Sequence, residues 1–344
     1  MDVLLISNPN STSQTPRVFR QVIAILQAVP GIRLHARPTH HAGHARTLCA
    51  DIEPGRFDAV VVLGGDGTVN EAVNGLLGPV SRRRDGGDVP ALGIIPTGSA
   101  NVFARALGYS ADPVRAARAL AAALRARHVR SICLGTWEDR WFAVNAGVGI
   151  DATVIARVER ARSRGFSATP LRYLVVCVDA WVRAQLVPPR MDVTARGPRA
   201  AGLVLRRVPL CVASNTNPWT FLGPLPVVTN PENSFDRGLG VFALTSLSGP
   251  GGVASMLHLV GVGHNRWFER WINRRTVRCD DATEVVLTCP QPRQLQIDGE
   301  YVGDRMRVEL GCVPDALRVI APLHRARLAQ RSWPQILRDF VRLS

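Results

Sequence analysis

Short strand-like runs alternate with amphipathic stretches over the first third of the chain. Val3–Ser7, Ile32–Ala36, Val60–Leu63 and Leu92–Ile95 read as strands that stop at turn residues, and a polar Thr39–Ala45 follows the second. Val18, Val22, Ile25 and Leu26 recur at helical spacing and predict a helix over Pro16–Ala28. Val69–Leu77 and the segment from Asn101 are helix-like, and Ala111–Arg127 is a capped helix with Pro113 in its first turn. This alternation predicts a doubly wound α/β domain. From about Val129 the texture changes. Strand-like pieces dominate (Ser131–Trp137, Trp141–Asn145, Met191–Ala195, Leu203–Ser214, Val241–Thr245, Glu284–Thr288, Leu295–Ile297, Arg305–Leu310), with Val154–Arg162 and Pro170–Leu186 helical between them. The expected organisation is an α/β domain over 1–128, a β-rich domain over 129–322, and a basic amphipathic tail over 323–344 that packs back on the first domain.

The junctions between runs carry the candidate chemistry. Val60–Leu63 ends in Gly64-Gly65-Asp66-Gly67-Thr68, and a helix-like segment follows at once. Glycines there let backbone N–H groups face an anion at close range, and the helix N-terminus adds positive potential. Asp66 puts a carboxylate where a magnesium ion beside phosphates needs one. This is not a Walker A loop, whose Lys is required, because the chain contains no lysine. Leu92–Ile95 meets a second turn, Pro96-Thr97-Gly98-Ser99. Two such loops fit adjacent crossings of one parallel sheet, at the edge where such sheets bind ligands. Near the other end, Leu295–Ile297 leads into Asp298-Gly299-Glu300, which reads alone as an Asp-Gly hairpin and, in company, as a carriage for a general base.

In this order the segments resemble the diacylglycerol kinase catalytic-domain family, which includes bacterial lipid kinases, sphingosine kinases and ceramide kinases. The carriers are Asn8-Pro9, Gly64–Thr68 continuing as Val69-Asn70-Glu71, Pro96–Arg105 and Asp298–Glu300. The resemblance runs to about Pro322 and implies an NAD kinase/diacylglycerol kinase-like first domain with a β-sandwich second domain. It implies ATP and Mg2+ as cofactors, and Thr39, Gly64, Gly65, Asp66, Gly67, Thr68, Asn70, Thr97 and Gly98 as nucleotide-binding positions. Asp66 would hold the catalytic magnesium directly or through water, and Glu300 would reach the nucleotide cleft as general base. The implied reaction is phosphoryl transfer from ATP to a lipid hydroxyl, with diacylglycerol as default acceptor and a sphingoid base or ceramide as the variant.

Three departures bear on that reading. No lysine follows Asn8-Pro9, and Arg17 reads either as a substitute cation or, preferred, as a helix-surface arginine. Where many members have Asp-Asp-Gly-Leu at a structural magnesium site, this chain has Asp236-Arg237-Gly238-Leu239, so only Asp236 remains. Ser99 and Val102 replace a Thr and an Asp. Elsewhere, His40, His41 and His44 have metal-ligand spacing but are read as a polar loop. Asn145–Asp151 reads as a glycine-rich turn into the second domain, and Trp219, Phe221 and Leu222 as a lipid entrance or ordinary core.

Composition narrows the setting. Of 344 residues 46% are hydrophobic, enough for sizeable cores. Seven scattered cysteines with no Cys-x-x-Cys point to reduced, mostly buried thiols. The longest apolar stretch, Leu171–Val187, contains Arg172, Asp179 and Arg183, too many charges for a bilayer span. No signal peptide is visible ahead of the first strand. The net charge of +15 is carried by arginine alone. It suits an anionic membrane surface, and no nucleic-acid motif accompanies it. The expected location is cytoplasmic, peripheral at the inner face of the membrane, with a homodimer left open. NAD kinase shares Gly-Gly-Asp-Gly-Thr but not Pro96–Arg105 or Asp298–Glu300. A non-catalytic nucleotide- or lipid-binding regulator is the reading from another class.

Overall fold

A computed structural model describes residues 1–149, 179, 190–199, 202–222, 225–259 and 272–323. The chain forms two compact units. The first takes Met1–Ala143 and the chain again from Val313, and the second takes Val144–Cys312. The helices expected over Val154–Arg162 and Pro170–Leu186, and the tail beyond Leu323, lie outside the described residues.

In the first unit, β1 (Asp2–Ser7), β2 (Arg33–Pro38), β3 (Ala59–Gly64) and β4 (Ala91–Pro96) pair in parallel, in the order β4-β3-β1-β2. Every residue of β3 and β4 is buried, as a parallel strand covered on both faces requires. The helices α1 (Pro16–Gln27), α2 (His44–Ala50), α3 (Asp66–Leu77), α4 (Val102–Leu107) and α5 (Pro113–Arg125) follow the strands. Two start on the signals the sequence shows. Thr15 caps α1 through Val18 N–H (3.2 Å), Asp112 caps α5 through Arg115 N–H (2.7 Å), and a proline follows each cap. The step from β1 to β2 goes one way across the sheet, while β2 to β3 and β3 to β4 go the other. Right-handed crossovers therefore put α1 on one face and α2 and α3 on the opposite face. Accordingly α1 packs with α5, and α2 with α3. Adjacent β1 and β3 thus send their chains to opposite faces, which opens a crevice between their ends.

Two strands beyond residue 128 belong to this unit: β5 (Val129–Trp137) and its antiparallel partner β6 (Arg140–Phe142). The reason is Trp141. It is fully buried, its N–H donates to Asn74 Oδ1 (3.0 Å), and its indole donates to the Gly78 carbonyl (2.8 Å). Strand β16 (Glu300–Ile320) ends beside β4, where Val319 pairs with Leu92. Tyr109 O–H donates to the Ile320 carbonyl (2.8 Å), and Arg318 donates to the Gly86 and Val89 carbonyls.

The second unit is strand-rich and antiparallel. Its elements are β7 (Asn145–Gly149), β8 (Met191–Arg196), β9 (Leu203–Val208), β10 (Leu210–Ser214), the small pair β11 (Thr220–Leu222) and β12 (Leu225–Val227), β13 (Leu239–Leu244), α6 (Gly249–Leu259), β14 (Thr276–Ala282), β15 (Glu284–Ile297) and the first part of β16. The order β14-β13-β10-β7 reaches one end of β15, and β9-β8 reaches the other. Asn145–Gly149, expected as a turn, is a buried central strand. The run Leu203–Ser214 divides at Pro209, which has no N–H to continue a ladder.

The described cysteines are free, and all but Cys312 are buried. Burial pushes the Cys49 and Cys211 thiols up to about 12, so they stay protonated and inert. Among the described residues no helix is long and apolar enough to cross a membrane.

Helices α2 and α3 meet at Gly75. A methyl group there would lie 2.3 Å from the Arg46 carbonyl oxygen and 2.7 Å from Cys49 Cβ. Alanine gains about 1 kcal/mol of helix propensity over glycine. Overpacking against a backbone that cannot swing aside costs about 1–3 kcal/mol. Gly75→Ala is therefore expected to lower stability in chemical denaturation, and a more stable variant would show that the two helices are not in close contact.

Candidate active site

The four parallel strands of the first unit send their following loops to one edge. Backbone bonds extend the pairing one residue past the strand ends. Thr39 N–H donates to the Ser7 carbonyl (2.8 Å), Asn8 N–H to Leu63 (2.9 Å) and Thr97 N–H to Gly64 (3.0 Å). The β1 loop then closes over Thr97. Ser13 donates to the Thr97 carbonyl from its backbone N–H (2.8 Å) and its hydroxyl (3.0 Å), while Ser11 Oγ and Thr97 Oγ1 lie 2.6 Å apart. Asn8 Nδ2 donates to Thr68 Oγ1 (3.1 Å).

The β3 and β4 loops touch backbone to backbone. A methyl on Gly98 would lie 2.6 Å from Gly65 Cα, and one on Gly65 would lie 3.1 Å from Gly98 Cα. Glycine is needed at both positions for contact, whatever the ligand. Asn101 closes the β4 loop on itself: its Oδ1 accepts Gly98 N–H (2.8 Å) and its Nδ2 donates to the Gly98 carbonyl (2.8 Å). It does so in the left-handed conformation (φ 51°), which asparagine tolerates better than most residues.

Helix α3 opens on Gly65 with no side chain capping its first amides. Its first intrahelical donor is Val69 N–H, to the Gly65 carbonyl (3.1 Å), so the N–H groups of Asp66, Gly67 and Thr68 have no partner within the helix. Such a terminus favours an anion by about 0.3–1 kcal/mol when exposed and up to ~2 kcal/mol when partly buried. The Gly64–Thr68 loop therefore presents backbone donors at a helix start and is held from both sides by the β1 and β4 loops.

The half-buried Asp66 carboxylate accepts Val102 N–H at Oδ2 and Phe103 N–H at Oδ1, each at 3.0 Å. It ties the start of α3 to the start of α4. Burial pushes its pKa up from the usual carboxylate range, opposed by those two amides and by the charge of Arg105. The Asn101 amide also acts on this carboxylate, whose two oxygens offer about four acceptor positions in all. These residues fit a magnesium ion that arrives with a polyphosphate, with Asp66 as its protein partner.

Other expected positions are placed differently. Thr97 is wholly buried and acts through the β1 loop, while Thr39 is buried at the end of β2. Asn70 lies one turn along α3, and its Nδ2 donates to the Trp141 carbonyl (3.1 Å). His41 and His44 stack with ring centres 4.8 Å apart, and no group of three or more metal-binding side chains assembles among the described residues. Glu71 follows Asn70 on α3. It accepts Gly43 N–H (2.7 Å) and Ala45 N–H (3.1 Å), capping α2 from α3. No local spacing announces a cap whose partner is a separate helix.

In the second unit, Asp298 (φ 49°) and Gly299 (φ 83°) form the two-residue turn joining β15 to β16, with Ile297 opposite Glu300. Asp298 Oδ1 accepts Val144 N–H (2.8 Å) and Asn145 N–H (3.0 Å). Gln296 Nε2 donates to Asn145 Oδ1 (2.7 Å), and Gln296 Oε1 accepts Gly299 N–H (2.9 Å). This buried network fixes the hairpin that presents the exposed Glu300. Asp236 is exposed, and the neighbouring Arg237 guanidinium donates to the Glu232 carbonyl (3.0 Å). A cationic side chain in that position does not fit a magnesium site.

Residues 2–136 match the model of the diacylglycerol kinase catalytic domain. A probable lipid kinase YegS-like protein from Chromohalobacter salexigens is 37% identical over 153 residues, 44% of this chain and 45% of the relative. Sphingoid long-chain bases kinase 1 from Arabidopsis thaliana is 35% identical over 117 residues, 33% of this chain and 15% of the relative. The chain thus spans less than half the length of these relatives. Two solved structures, a diacylglycerol kinase and a putative diacylglycerol kinase from Bacillus anthracis, cover 94% of this chain and 98% of their own. Their TM-scores are 0.65 and 0.67 at 19% and 20% identity, which establishes a shared fold. Over residues 2–136 the chain is therefore similar to the diacylglycerol kinase catalytic domain.

Proposed function

We propose that this protein is an ATP-dependent lipid kinase, with diacylglycerol as acceptor and phosphatidic acid as product. The observation that carries the reading is the uncapped start of α3 inside a cradle of three interlocked loops, within a matched kinase domain. The amides of Asp66, Gly67 and Thr68 hold the ATP phosphates. Asp66 would hold a magnesium ion, which would supply charge neutralisation for the phosphates. Glu300 accepts the proton of the lipid hydroxyl as its oxygen bonds to the γ-phosphorus. The bond from that phosphorus to the bridging oxygen breaks, and ADP leaves. Such transfer depends on positioning and charge stabilisation, in keeping with loops held by backbone bonds. A lipid acceptor brings the protein to a membrane, and the net charge of +15 supports attraction to an anionic, inner-face surface.

The relative named for sphingoid long-chain bases supports the same chemistry on a different acceptor. Purified protein with labelled ATP, magnesium and mixed micelles of diacylglycerol, monoacylglycerol, sphingosine or ceramide separates the two. Label in diacylglycerol supports the proposal, and label in sphingosine alone moves the acceptor. ATP binding with no label in any lipid would favour the non-catalytic regulator.

Glu300→Gln keeps the shape and removes the base, so turnover is expected to fall roughly 10²–10⁴-fold. Wild-type turnover in that variant would remove Glu300 from the chemistry. Gly98→Ala forces the β3 and β4 loops apart and is expected to weaken ATP binding at least about tenfold, the factor set by 1.4 kcal/mol. Unchanged affinity by calorimetry would mean that the contact between the loops does not shape the phosphate site.

A further inference from the structure

The turn before β13 carries a positive charge, the Arg237 guanidinium, against Glu232. Asn230 and Asn233, both buried, anchor it to the sheet: Asn233 Nδ2 donates to the Ser214 carbonyl (2.8 Å), and Asn230 Nδ2 to Asp280 Oδ1 (2.8 Å). Arg237 N–H closes the turn on the Ser234 carbonyl (3.1 Å), and Gly238 N–H donates to Asp281 Oδ1 (2.9 Å). The Arg237 guanidinium sits on the Glu232 carbonyl at 3.0 Å and 3.6 Å from the Glu232 carboxylate, which Arg199 also approaches at 3.9 Å. Carbonyl and carboxylate oxygens are the ligands a hard divalent cation takes. Here a carbonyl and a carboxylate of one residue, Glu232, face a guanidinium.

We propose that Arg237 is a tethered cation that replaces a divalent ion at this turn, so the second unit holds its form without metal. The resemblance noted above puts an aspartate and a magnesium ion there, and this chain's side chain carries the opposite charge. A covalently attached cation is present at every metal concentration and blocks an incoming one by repulsion. The inference concerns the second unit alone. It stands whether or not the protein is a kinase, and any magnesium requirement of the reaction then belongs to the nucleotide.

The test is thermal melting of the full chain without nucleotide, in chelator and in millimolar magnesium, with metal content measured on the purified protein. Wild type is expected to melt at the same temperature in both and to carry no stoichiometric metal. Arg237→Gln is expected to melt lower by roughly 2–4 °C per lost kcal/mol-scale contact, equally in both conditions. A wild-type melting temperature that falls in chelator overturns the proposal, as does a bound stoichiometric divalent ion. So does an Arg237→Gln variant that melts like wild type. Should that variant not fold, the wild-type measurements decide the matter alone.

Discussion

The close approach of Gly65 and Gly98 is the constraint on which the site depends. Two loops that follow adjacent parallel strands are ordinarily kept apart by side chains. Here two bare Cα atoms meet, and Thr97 N–H bonds the Gly64 carbonyl beside them. With the β4 loop pressed on the β3 loop, the β1 loop can reach across to Thr97 through Ser11 and Ser13. The result is a cradle whose walls are backbone and whose donors are fixed before any ligand arrives. Preorganised donors stabilise charge without reorganising during the reaction, which is what phosphoryl transfer asks of a protein.

Two carboxylates of α3 brace this arrangement from the helix side. Asp66 receives two amides at the start of α4, and Glu71 receives two at the start of α2. Both recipients are helices too short to be stable by propensity. A charged cap from a neighbouring helix is worth about 0.5–2 kcal/mol at such ends. The loops that bear Thr39 and Asn101 are therefore ordered by the same helix whose N-terminus faces the proposed phosphate site. Asp66 holds α4, and under the proposed function it would also face a cation, so removing it would disturb geometry as well as charge.

Much of the first unit was legible in sequence because its strands are buried on both faces and its long helices carry proline-marked caps. What escaped was set by contacts distant in the chain. Helix α2 has a polar sequence and a start fixed by Glu71, which no period reveals. The first unit continues to Ala143 because Trp141 is buried against α3, a tertiary fact. Glu284–Thr288 and Leu295–Ile297 look like separate strands because Pro290 and Pro292 intervene, yet β15 runs through with a register shift that absorbs them. The glycine loops of the first unit and the Asp298-Gly299 hairpin of the second could each be read from turn chemistry. The engagement of Thr97 with Ser11 and of Asn70 with Trp141 could not, since each partner lies far along the chain.

Hydrogen exchange of the full chain, with and without magnesium-ATP, tests the central claim most directly. The account predicts slowed exchange in peptides covering Gly64–Asn70 and Pro96–Asn101 together, because one ligand engages the α3 amides and clamps the loop packed on them. Unchanged exchange in both segments while ATP is bound, or protection confined to other parts of the chain, would contradict it.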